Sequence, residues 1–235
     1  MKSLLERFDL SRAIGTYAAV LTLGFGAFVL LGSRSTRLEH FQEIDVERIN
    51  VREPDGTLRM TLSSHARMPG LISGKQEIAR PDRPQAGMLF FNDQGEENGG
   101  LIFNGGLVNG KPENGGSLTF DRYRQDQTLQ LLSVEDGQDR FAGLYVNDQP
   151  NEPAAYSQLS SIMAMPDGPA KQAAFQSAHI GGTQRAFLGR GQDKASQLIL
   201  RDGQGKKRLI LRVTESGEPS IQFLDGEGKI VRTIQ

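Results

Sequence analysis

Leu198-Ile199-Leu200-Arg201-Asp202-Gly203-Gln204-Gly205-Lys206-Lys207-Arg208-Leu209-Ile210-Leu211 decides the fold: two apolar runs at β spacing flank a four-residue turn of Asp and Gly. Branched and aliphatic residues favour a pleated strand, whereas Asp and Gly tolerate the backbone angles of a tight turn, so this stretch predicts a β-hairpin. The same design recurs at Ile49 to Leu62 around Pro54-Asp55-Gly56, at Met88 to Phe103 around Asn92-Asp93-Gln94-Gly95, and at Ile221 to Ile234 around Asp225-Gly226-Glu227-Gly228. Weaker copies lie at Leu131 to Val146 around Asp136-Gly137 and at Phe187 to Leu198 around Gly189-Arg190-Gly191. Arg52 to Leu62 overlays Arg201 to Leu211 with Gly56 on Gly205 and Arg59 on Arg208. Spacing between copies is irregular, which excludes a strict solenoid. The expectation is an all-β fold, mainly antiparallel hairpin repeats in a meander that forms a sandwich, a barrel or a prism-like stack.

Working outward from the hairpins, the chain divides into a tail (1–12), an apolar segment (13–32), a polar linker (33–43), a β-hairpin lobe (44–150), a helical bridge (151–180) and a second β-hairpin lobe (181–235). The bridge is read from Tyr156, Leu159, Ile162 and Met163 at helical spacing, then a breaker at Pro166-Asp167-Gly168-Pro169, then the alanine-rich Ala170 to Ala178. Two short helices are expected, with Pro169 opening the second. Between Asn98 and Gly116 four Asn-Gly pairs predict frequent turns, with short strands at Leu101 to Phe103 and Ser117 to Phe120 around an exposed tip at Lys111-Pro112.

Ala13 to Gly32 is a run of twenty residues without a charge. A helix of that length reaches roughly 30 Å, the thickness of a bilayer's hydrocarbon core, so the run is expected to be a single-pass transmembrane helix whose partner is the lipid bilayer. The end of the run, Val29-Leu30-Leu31-Gly32-Ser33-Arg34, offers no small-x-small cleavage site, which favours an uncleaved signal anchor. Absence of cysteine excludes a lipoprotein signal. Lys2, Arg7 and Arg12 before the run tilt the charge count toward an N-terminus inside and a domain outside the cytoplasm, periplasmic or extracellular. Ala18, Thr22 and Gly26 share one helix face and suggest a weak homodimer. The chain has no Asn-x-Ser/Thr site, which fits a bacterial source.

Composition excludes several functions. A formal net charge of −1 with scattered basic residues argues against nucleic acid. Lack of cysteine removes disulfides, thiolate metal sites and thiol nucleophiles. Gly105 to Lys111 spells G-x-x-x-x-G-K, but Pro112 stands where a nucleotide loop needs a hydroxyl. Asp93, Glu96 and Glu97 lack calcium-loop spacing, and His40, His65 and His179 lack zinc spacing. No catalytic, cofactor or metal residue is therefore assigned. Phe90, Phe103, Phe120, Phe187 and Phe223 are expected in the core, and Phe91, adjacent to Phe90, faces the other side of its strand, so that both faces there are buried or, as the alternative, Phe91 marks a contact surface. The reading is a non-enzymatic structural or interaction module; the alternative is a hydrolase with a composite site between the lobes.

Overall fold

The structure is a computed structural model and describes residues 10–32, 38–73, 76–80 and 85–235. It is mostly β. The strands are β1 (Arg48–Arg52), β2 (Leu58–Ser63), β3 (Leu71–Ser73), β4 (Gln76–Ile78), β5 (Ala86–Phe91), β6 (Glu97–Val108), β7 (Lys111–Asp121), β8 (Gln127–Asp136), β9 (Asp139–Asp148), β10 (Thr183–Arg190), β11 (Ser196–Arg201), β12 (Lys207–Val213), β13 (Pro219–Leu224) and β14 (Ile230–Ile234). Twelve of them form one antiparallel sheet in the order β1-β2-β5-β6-β7-β8-β9-β10-β11-β12-β13-β14, and β3 pairs with β4 separately. Each strand of the sheet thus lies beside the next in sequence, with the β3–β4 pair set aside between β2 and β5, and strands from both expected lobes join through the β9–β10 pairing. The meander has β1 and β14 as its two edges.

One turn geometry, repeated, explains why these residues form these hairpins. At Glu53, Asn92, Arg122, Gly191, Asp202, Thr214 and Asp225 the backbone N–H donates to the carbonyl four residues on, and the N–H three residues on donates back. In six of the seven the residue three positions on has positive φ, and in five of these it is glycine (Gly56, Gly95, Gly205, Gly217 and Gly228), with Lys194 in the sixth. Glycine enters this region without steric cost. Side chains reinforce the loop: Asn92 Oδ1 accepts from the N–H groups of Gln94 and Glu96, and Asp202 Oδ1 from those of Gln204 and Lys206. The overlay of Arg52 on Arg201 has a structural counterpart, since each donates its Nη1 to the turn glycine's carbonyl, Gly56 O and Gly205 O, at 2.9 Å.

The segment rich in Asn-Gly departs from expectation. Only Asn109-Gly110 is a turn; the pairs at 98/99, 104/105 and 114/115 lie inside β6 and β7, which make one long hairpin. Here glycine answers a need for close approach. A Cβ on Gly99 would stand 2.3 Å from Thr119 O, and one on Gly116 would stand 2.7 Å from the Phe103 ring.

Between β9 and β10 the chain forms a 3-10 turn at Tyr156–Gln158 and two short helices, α1 (Leu159–Met163) and α2 (Pro169–Ser177), with Pro169 in the first turn of the second. Ala178 is buried, and its carbonyl accepts from Ala155 N–H at 2.8 Å. Gln125, at the β7–β8 turn, donates its Nε2 to Glu152 O and His179 O, which ties this segment to the sheet.

The N-terminal unit, up to Asp45, contains a helix at Leu10–Gly32 of 23 residues. Its described side chains run from Ile14 to Phe28, and Ile14, Tyr17, Val20, Leu21, Leu23, Phe25 and Phe28 are all exposed. Among the described residues no helix is long and apolar enough to cross a membrane. The expected span at 13–32 therefore lies within a helix, but that helix does not qualify as a membrane span among the described residues.

Candidate interaction surface

Antiparallel partners point to the same face of a sheet, so the register can be followed across all twelve strands. One row runs Ile49, Leu62, Met88, Leu101, Leu118, Leu131, Leu144, Leu188, Leu198, Leu211, Ile221 and Ile234. Every strand contributes an aliphatic residue or methionine, and none is polar. The next row on the same face runs Val51, Met60, Phe90, Gly99, Phe120, Leu129, Val146, Ala186, Leu200, Leu209 and Phe223, and ends at Arg232. A water-facing strand side is normally polar, and single scattered apolar residues need no explanation, but two contiguous rows do.

None of these side chains is buried. Leu131 is 50% exposed, Leu188 54% and Phe120 52%. The chain's core lies on the opposite face, where Tyr145, Phe187, Ile199 and Ile210 form a cross-strand row that packs with Leu224, and where Leu58, Leu89 and Phe91 make a second cluster with Ile72 and Ile102. Tyr145 and Phe187 stack at 4.9 Å between ring centroids. Thr61, fully buried on this side, donates its hydroxyl to Asn50 Oδ1 at 2.9 Å.

The phenylalanine assignments are corrected by this layout. Of the five expected in the core only Phe187 is buried; Phe90, Phe103, Phe120 and Phe223 are 37% to 57% exposed, while Phe91 is 4% exposed. A one-residue register shift between Phe90 and Phe91 ends the regular ladder at that point. Alternation correctly separates the two rings onto opposite sides, but covering is set by the β3–β4 segment, whose Ile72 packs against the Phe91 side.

A small polar cavity of about 200 Å³ lies where β3 meets the β5–β6 and β7–β8 turns, lined by Arg80, Glu96, Glu97, Asp121, Arg124, Asp126 and Tyr156 among others. The Glu96 carboxylate is buried and stands 3.7 Å from Arg124 Nε. Burial pushes the Tyr156 phenol well above its ordinary pKa, and the carboxylates of Asp126, Asp121 and Glu97 push it further, against Arg80. The hydroxyl is a neutral donor at physiological pH. Four carboxylates face two guanidinium groups here, and among the described residues no group of His, Asp and Glu is arranged to hold a metal. Glu96 and Glu97 thus serve this network, whereas Asp93 points away and pairs with Arg59 at 2.6 Å.

Other sequence candidates stay apart. Gly105 to Lys111 is the tip of the β6–β7 hairpin and contains no helix. His65 opens a 3-10 turn, and His179 Nδ1 is 3.9 Å from Glu152. On the N-terminal helix, Thr22 Oγ1 donates to Ala18 O at 2.9 Å, and nothing lies within 4 Å of a Cβ built on Gly26, so the small-residue face is open. Comparison with protein-family models, with curated proteins and with solved structures yields no match.

Proposed function

We propose that this chain is a non-enzymatic docking module that works through the apolar face of its sheet, held at a membrane by its N-terminal helix with the β domain outside the cytoplasm. The observation that supports the reading best is the unbroken aliphatic row from Ile49 to Ile234, partly exposed along its length and about half exposed at Leu131 and Leu188, with no other part of the β unit covering it among the described residues. Burial of apolar area contributes roughly 25 cal/mol per Å², so a face of this kind is stable in water only with something upon it. Anchoring rests on the uncharged run Ala13 to Gly32 and on a helix whose described apolar side chains are exposed around its circumference, a pattern suited to lipid.

Two measurements test the reading. Radical footprinting of the full chain in its native membranes should protect Leu131, Leu188 and Leu200 relative to dilute purified protein, with Met163 on the helical segment unchanged. Equal labelling of the three leucines in both states would show the face empty and end the docking role. Alkaline carbonate extraction should leave the full chain in the membrane pellet, and release into the supernatant would remove the anchor.

A further inference from the structure

We infer that the occupant of the apolar face is the same face of another copy of this chain, in a closed symmetric homo-oligomer. This rests on the docking role proposed above and names its partner.

Size is the first argument. Twelve strands at about 4.8 Å spacing extend roughly 53 Å, and two side-chain rows occupy about 14 Å along the strands, which gives on the order of 750 Å² per copy. Two such faces in contact bury about 1,500 Å², the size of a standard stable interface. Alternatives from within the chain are too small: even the 23-residue helix, about 34 Å long and about 10 Å across, covers only about 350 Å², roughly half of the face.

Chemistry is the second. The row from Ile49 to Ile234 carries no charge, so it offers nothing to a charged partner, and no Trp, Tyr, Lys or Arg, the residues with which a surface-lying face grips a lipid interface. Its complement is another dry aliphatic sheet face, and sheets pack at about 10 Å by interdigitating such rows. A like face satisfies both demands because a symmetric contact needs only a self-complementary patch. Shallow grooves between the rows supply places for the knobs of the opposing copy. One, about 800 Å³, is lined by Leu101, Phe103, Leu118, Leu131, Leu144 and Leu188.

The absence of cysteine makes the test direct. The full chain in mild detergent is expected to have at least twice the chain mass by light scattering. Leu131→Glu and Leu188→Glu together should reduce it to one chain with an unchanged far-ultraviolet dichroism spectrum, since both sites are about half exposed in the lone chain. In parallel, Leu131→Cys should be cross-linked between chains by a flexible bis-maleimide, which does not require the two copies of residue 131 to lie within disulfide reach of each other, whereas Gln130→Cys, on the opposite face, should not. A wild-type monomer overturns the inference. So does an oligomer that survives both glutamates, which would place self-association elsewhere, as on the helix face of Ala18, Thr22 and Gly26. Should the glutamate variant lose its β spectrum, the cysteine pair decides alone: equal cross-linking at both positions, or none at Leu131, overturns it. Protection of the leucines in membranes without a Leu131 cross-link would retain the docking role and discard the second copy.

Discussion

At the apex of each hairpin a single backbone angle decides the residue. Gly95 has φ +78°, and a Cβ built on it meets Thr57 Cγ2 at 3.5 Å and Leu58 O at 3.9 Å, ordinary contacts. Gly95→Ala therefore isolates the left-handed backbone penalty and should lower stability by about 1–2 kcal/mol in urea titration; an unchanged midpoint would show that the turn reshapes freely. Tyr156 makes a second residue-scale prediction. Its folded pKa is raised, chiefly by burial, above the ordinary 10.0 of the unfolded chain. Below pH 10 both states hold the proton and stability is fully present; as pH climbs past 10 the unfolded state alone releases it, and stability falls. Tyr156→Phe should flatten the decline in denaturation midpoint between pH 9 and 11.5. Tyr145, also raised by burial, leaves a remainder. A slope identical to wild type would remove Tyr156 from the account.

The strand seams explain which glycines matter as elements pair. Gly143 and Gly189 face each other across β9 and β10. A Cβ on Gly143 would lie 2.4 Å from the Phe187 ring, and one on Gly189 would lie 2.1 Å from Ala142 O. Gly189→Ala must push the two strands apart, at a cost of about 1–3 kcal/mol or more. Gly106→Ala, in β6 with nothing within 4 Å, should be neutral or add about 0.5–1 kcal/mol through a less flexible unfolded chain. Thermal melts of the two variants check the contrast, and similar behaviour would contradict the packing argument. This contrast also shows how far the sequence could be read. Hairpin turns were legible because Asp, Asn and Gly answer local demands, as at Asp202 to Gly205. Asn-Gly pairs inside β6 and β7 were not, because a glycine required by a neighbouring strand looks the same in sequence as one required by its own φ. The helices around Pro166 to Pro169 were legible from the breaker between two helical patterns. The polar cavity was not, since Glu96, Arg124 and Tyr156 meet only through tertiary structure.

On the scale of the whole molecule the two faces of the sheet exchange their usual roles: the mixed face, with Thr61 and Phe187, is covered by the chain itself, and the aliphatic face is left open. Covering is not written in the alternation of one strand, which is why Phe90, expected in the core, is left open, while Phe91 on the other side is buried. These adjacent residues now report on opposite sides. Phe91 packs within the chain, so Phe91→Ala should cost about 3–5 kcal/mol at any protein concentration. Phe90 lies on the open face, so its contribution depends on whether another copy is present. Mass action makes the melting temperature of an assembled chain rise with concentration. Across a hundredfold dilution series the wild type should therefore show a rising midpoint, and Phe91→Ala should show the same rise from a lower start. Phe90→Ala should start near wild type when dilute and rise much less. A wild-type midpoint independent of concentration, or a Phe90→Ala deficit as large when dilute as when concentrated, would mean that the face is stabilised within the single chain and that self-association does not cover it.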